Sequence, residues 1–117
     1  ALMKGIRCVK NTFYFFFERS IMLESNFQSK LIKELKSRFP GCEVLKNDSN
    51  YIQGVCDLII LFGNKWAMLE VKANAAAKRQ SNQDYYVKKY SKMSYASFIY
   101  PENKETVLNE MERSFFA

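Results

Sequence analysis

The chain has 117 residues, enough for one domain with one core and short for two, and its nearly half apolar composition, with ten Phe and seven Tyr, excludes a disordered chain. Lys and Arg number 18 against 12 Asp and Glu, so the formal charge is +6 and the pI near 9.3; this favours polyanionic partners, nucleic acid first, although solubilising charge alone gives the same excess. There is no His, which excludes His-dependent triads, and Cys8, Cys42 and Cys56 lack metal-type spacing, so a zinc site is not expected and reduced thiols in a cytoplasmic protein are.

Residues 1–21 are basic, then strongly aromatic, and are expected to be an N-terminal extension, a leader or a dimer arm, ahead of a domain over 22–117. "TFYFFF" falls far below the roughly 20 apolar residues of a membrane span. Lys4, Arg7 and Lys10 imitate the start of a signal peptide, but "ERSIMLE" is no cleavage site. "ESNFQSKLIKELKSRF" predicts an amphipathic helix, with Ser25 and Gln28 spaced as a capping box and Pro40–Gly41 ending it. Strands are expected at 42–46, 56–62, 65–72 and 93–100, the last stopped by Pro101, and helices at 78–90 and 102–116. On the helix at 78–90, Gln83, Val87 and Tyr90 share one stripe. The order α-β-β-β-α-β-α predicts an α/β fold with a central mixed sheet flanked by helices.

The strands at 56–62 and 65–72 are apolar except for Asp57, Glu70 and Lys72. If Gly63–Asn64 is a two-residue hairpin turn, which suits both residues because both tolerate φ > 0, the numbers of each opposed pair sum to 127. Asp57 then faces Glu70 with Cβ atoms about 4.5–5.5 Å apart, and Lys72 projects from the same face. Two partly buried carboxylates so placed repel, and a divalent cation such as Mg²⁺ or Mn²⁺ removes the conflict; a water-exposed strand-end pair neutralised by Lys72 is the alternative. On the first helix Glu24 lies within about 40° of Gln28, Leu31 and Leu35, so an acid sits on the sheet-facing stripe, while Lys33 and Glu34 fall off it. An acid at a helix start also favours the helix dipole with no chemical role, and both readings stay open.

These residues resemble a known family. Gly54-Val55-Cys56-Asp57, twelve intervening residues and Glu70-Val71-Lys72, preceded by a helix with Glu24 and followed by one with Gln83 and Tyr86, are similar to the PD-(D/E)XK nuclease signature over about residues 22–100. Among its branches the chain looks closest to the small VRR-NUC and Holliday-junction-resolvase-like endonucleases, including those of phages. The resemblance implies a restriction-endonuclease-like αβββαβ core and Mg²⁺- or Mn²⁺-dependent endonucleolytic hydrolysis of DNA, on branched, junction or flap substrates, by a homodimer in a bacterial or phage-infected cytoplasm. It implies that Asp57, Glu70 and the Val71 carbonyl bind the metal, that Lys72 positions or deprotonates water, and that Glu24 assists. Gln83 and Tyr86 would hold DNA or the water network. Phosphodiester hydrolysis of this kind needs a metal and a nearby cation and no His.

Two positions depart from that pattern. Cys56 stands where the family usually has Pro, giving up a fixed φ before Asp57, and "ANAAAKRQ" is Ala-rich where Ser or Thr is common. Lys78, Arg79, Lys88, Lys89 and Lys92, interleaved with Tyr85, Tyr86 and Tyr90, are expected as a phosphate-contacting face with stacking capacity, against the alternative of a solvated helix over core tyrosines. A catalytically inactive DNA-binding or assembly module of the same fold is the alternative function, and an RNA-directed nuclease a third.

Overall fold

The computed structural model describes residues 21–48 and 50–117. Helix α1 covers residues 21–38 and leads through Pro40–Gly41 into strand β1 (Glu43–Lys46), then β2 (Leu58–Phe62) and β3 (Lys65–Val71). Helix α2 (Ser81–Ser91) precedes β4 (Tyr95–Ile99), and a short 3-10 turn (Pro101–Asn103) opens α3 (Lys104–Phe115). The element order is the expected one. The aromatic run lies outside the described residues, and Ile21 and Met22, on either side of the expected domain start, are both helical.

Several local expectations are corrected. Ser25 and Gln28 lie inside α1 and cannot form a capping box at its start, because the helix is already under way at Ile21. Helix α2 begins at Ser81, three residues later than expected: residues 78–80 are extended, and Gln80 takes the capping position. There the Gln80 backbone N–H donates to the Gln83 side-chain Oε1 at 3.0 Å. Strand β2 begins at Leu58 rather than residue 56, and β3 ends at Val71 rather than residue 72. Gly63 has φ +60, whereas Asn64 is not among the residues of positive φ. The turn therefore uses glycine's freedom at its first position only, as a type II′ hairpin does.

The sheet runs β1-β2-β3-β4, antiparallel except for the parallel β3–β4 pair that α2 connects. The β2–β3 register is the expected one, from Phe62↔Lys65 to Leu58↔Leu69. Alternation sends Leu58, Ile60, Ala67, Leu69, Val71 and Ile99 to one face. There they meet Leu31, Leu35 and Phe39 of the α1 region and Val107, Leu108, Met111 and Phe115 of α3 in a single core. Each fully buried Leu or Ile contributes about 1.5–3 kcal/mol. The Arg38 guanidinium lies 3.5 Å from Glu105 and 3.2 Å from Glu112, and Lys104 lies 2.9 Å from Glu34, clamping the rim of the two helices.

The opposite face carries Leu45, Ile59, Trp66, Met68, Glu70, Ala96 and Phe98. Helix α2 packs over its β3–β4 half and leaves Leu45 and Leu61 exposed. No helix among the described residues is long and apolar enough to cross a membrane.

Candidate functional site

The open end of the β2–β3 hairpin gathers the charged residues. Pairing stops at Leu58↔Leu69, and the chain bends at Asp57, the next position of the register, opposite Glu70. Asp57 closes the ladder with its side chain: Oδ2 accepts the Val71 backbone N–H at 2.8 Å, while its own carbonyl accepts from Asn47 N at 2.9 Å. Lys72 N turns the other way and donates to Ile99 O of β4. Since a strand residue directs its N–H and C=O to the same neighbour, the Val71 carbonyl faces the Asp57 side.

Gly54 explains how the loop before Asp57 reaches this place. Its φ is +87, and a Cβ there would stand 2.7 Å from the Asn82 side chain of α2. Only glycine permits both the backbone conformation and the close approach that docks the loop on α2. Cys56 follows with no exposure, and burial pushes its thiol up to about 12, so it fills space and is not a nucleophile.

Glu70 is 3 % exposed and Lys72 8 %, the two buried charged residues of the described chain. Gln83 bridges them. Its Nε2 donates to Glu70 Oε1 at 2.9 Å, and its Oε1 accepts from Lys72 Nζ at 2.8 Å, an orientation the all-donor ammonium imposes. Lys72 Nζ also donates to Lys78 O at 3.1 Å. With Glu70 ionised, its Oε2 is the one buried side-chain nitrogen or oxygen among the described residues without a hydrogen-bond partner; protonated, the carboxyl hydrogen-bonds the Asp57 carboxylate. Burial first, and then the neighbouring Asp57 carboxylate, push Glu70 up to about 8. Burial also raises Asp57, opposed by the Val71 N–H.

Glu24 arrives from α1. It is half-buried and lines an open cleft of about 480 Å³ with Lys72, Ala73, Ala76, Ala77 and Lys78. Burial and then Asp57 raise its carboxyl, and Lys72 opposes them, so the three acids and the ammonium form one electrostatic cluster. The stripe position expected for Glu24 is therefore real, and Lys33 stays exposed while Glu34 pairs with Lys104. The alanines after Lys72 leave the cleft wall low and supply no hydroxyl; Asn74 ties this turn by accepting the Ala76 N–H at 2.9 Å.

Fully ionised, Glu24, Asp57, Glu70 and Lys72 would carry two uncompensated negative charges in a half-dry site, which suits a divalent cation. Among the described residues no three acid, Cys or His side chains converge into a complete metal cage. Asp57, Glu70 and the Val71 carbonyl would instead supply part of a coordination shell, as is usual for Mg²⁺, which keeps waters and takes substrate phosphate oxygens. The free Glu70 Oε2 is the donor atom such an ion needs.

The basic residues divide. Lys78 is exposed at the cleft, and the Arg79 guanidinium lies 4.0 Å from the centre of the Phe98 ring, with Phe98 paired to Glu70 across β3–β4. Lys88, Lys89 and Lys92 are exposed on and just past α2, with Lys89 Nζ 5.9 Å from the Tyr85 and Tyr86 rings. Tyr86 stacks on Tyr90 at 5.9 Å, and Tyr90 meets Trp66 edge-on at 6.4 Å. Sequence reasoning missed the groove beyond Tyr90, walled by Tyr51, Ile52 and Val55 of the 47–55 loop. The signal was available: an aromatic–aliphatic pair inside the polar stretch "NDSNYIQG". In comparisons with known proteins, no family model, curated protein or solved structure matches this chain.

Proposed function

We propose that the chain is a Mg²⁺- or Mn²⁺-dependent endodeoxyribonuclease of the PD-(D/E)XK kind, and the observation that carries this reading is the buried Glu70 carboxyl with its unpartnered Oε2 beside Asp57 and Lys72. When bound, the divalent ion supplies Lewis acidity to an attacking water and positive charge to the scissile phosphate. The chain's own residues do the rest. Gln83 holds Glu70 Oε1 and leaves Oε2 for a cation, and it keeps Lys72 between α2 and β3. Two of the three Lys72 N–H donors are engaged, leaving one to meet a phosphate oxygen or the water. Glu24 stands across the cleft to accept a proton or orient that water. Lys78 and Arg79 extend positive charge from the cleft mouth, and Lys88 and Lys89 continue it along α2, as a phosphate backbone would require. Cleavage of linear, flap and junction DNA is expected with Mg²⁺ or Mn²⁺, and Glu70→Ala should lower it by roughly three orders of magnitude or more. Wild-type protein inert on all three with both metals would sink the reading.

A second reading, a DNA-binding or assembly module of the same architecture, is favoured by the hydrogen bond that protonated Glu70 shares with Asp57, which satisfies the two acids without a metal. Titration calorimetry separates the two. The nuclease takes up Mn²⁺ in a Glu70-dependent way, and the module takes up none.

A further inference from the structure

Near the C-terminal end of α2, residues 50–55, with Asn47 and Asp48 beside them, make a groove of about 400 Å³ with Tyr90. Its lining is Asn47, Asp48, Tyr51, Ile52, Val55 and Tyr90. Tyr51 is 86 % exposed, a large aromatic held at the rim with no packing of its own. Tyr90, in contrast, is backed by Tyr86 stacked upon it and by Trp66 at its edge, so its ring is held fixed. The groove is joined to the acidic cluster through the backbone: Val55 lies two residues before Asp57, and Asn47 donates to the carbonyls of both Cys56 and Asp57.

We infer that this groove takes an unpaired nucleobase, so that the substrate is DNA with single-stranded character near the cleaved bond; this rests on the nuclease reading above. An apolar slot with one rigid and one free aromatic ring accepts any base by its π-face. Asn47 and Asp48 also line the slot; with the Asn47 amide N–H on Cys56 O and one Asp48 oxygen on the Asn50 N–H, the remaining side-chain oxygens can accept from a base edge. Exposed Lys46 flanks the loop in sequence, and Lys88, Lys89 and Lys92 surround Tyr90 along its helix, giving the charge that a strand entering the groove requires. A base inside a duplex cannot reach such a slot without leaving its stack, so paired DNA is the poorer ligand.

The test is binding of a fluorescein-labelled single strand of about 12 nucleotides and of its abasic analogue, in EDTA, by fluorescence anisotropy. The two share one backbone charge, so their affinity ratio reads the bases alone. Wild type is expected to prefer the base-bearing strand by roughly 5- to 150-fold, the worth of one base–aromatic stack. Tyr51→Ala, at an exposed rim position that the fold does not need, should bring the ratio towards one, and Tyr90→Phe should preserve it. A wild-type ratio near one, or a full ratio in Tyr51→Ala, overturns the proposal. Cleavage without base preference would remove the groove and leave the nuclease; base preference without cleavage would do the reverse.

Discussion

The two ends of the β2–β3 hairpin are built from the same two strands and solve opposite problems. At the turn end, Phe62 is packed by Phe115 at 5.4 Å, Phe116 at 5.5 Å and Phe39 at 5.8 Å, an aromatic cluster with no charge to satisfy. At the open end, Glu70 is buried as deeply as Phe115 and far more than Phe116, yet when ionised it keeps an oxygen without a partner. The first end contributes stability. The second lowers it, since a carboxyl held out of water costs free energy unless a cation or proton meets it. Such an imbalance within one hairpin is the feature on which the proposed metal site rests.

The contrast makes three predictions. Phe39→Ala, which empties the centre of the aromatic end, should cost about 3–5 kcal/mol in urea unfolding. Under the proposed nuclease function, cleavage per folded molecule should be unchanged, because the acids lie at the other end of the strands; a matching loss of activity would mean that the ends are coupled.

Next in size is a pH effect at the open end. Glu70 holds its proton in the folded protein up to about pH 8, whereas the unfolded chain releases it near the ordinary value of 4.5. Between those values the folded state binds more protons, so the stability of metal-free protein is fully present below about pH 4.5 and falls as pH rises towards 8. The slope reaches at most about 1.4 kcal/mol per pH unit. Glu70→Gln, which keeps the Gln83 contact and removes the titration, should flatten most of it and be more stable than wild type at pH 8. Thermal melts in EDTA across that range measure this, and an unchanged slope in the variant would show that the carboxyl is not the cause.

The smallest effect is expected at Gly54, where Ala meets both a positive φ and the Asn82 side chain. A loss of about 1–3 kcal/mol is expected. Under the proposed nuclease function, cleavage should also fall, since the loop that carries Asp57 is displaced from α2. Equal stability and activity in Gly54→Ala would remove the account of why glycine stands there.

Much of this was legible in the chain itself, because turn chemistry and periodicity are local. Gly63–Asn64 between two apolar runs sets a two-residue hairpin, and a period of two then fixes which residues share a face; the observed β2–β3 register follows from nothing else. The helical period likewise put Glu24 on the stripe of Leu31 and Leu35. Element ends were less legible. Ser25 and Gln28 have the spacing of a cap, but the helix was already running, and propensity yields to what the neighbouring turns are doing. What no local pattern contains is proximity between segments far apart in the chain. The meeting of Glu24 with Asp57 and Lys72, the Gln83 bridge between Lys72 and Glu70, the close approach of Gly54 to Asn82 and the groove between Tyr51 and Tyr90 all arise when the layers pack. Burial is a sum over those layers, so residue order can name the acids, while the assembled sheet and helices determine which of them is left dry.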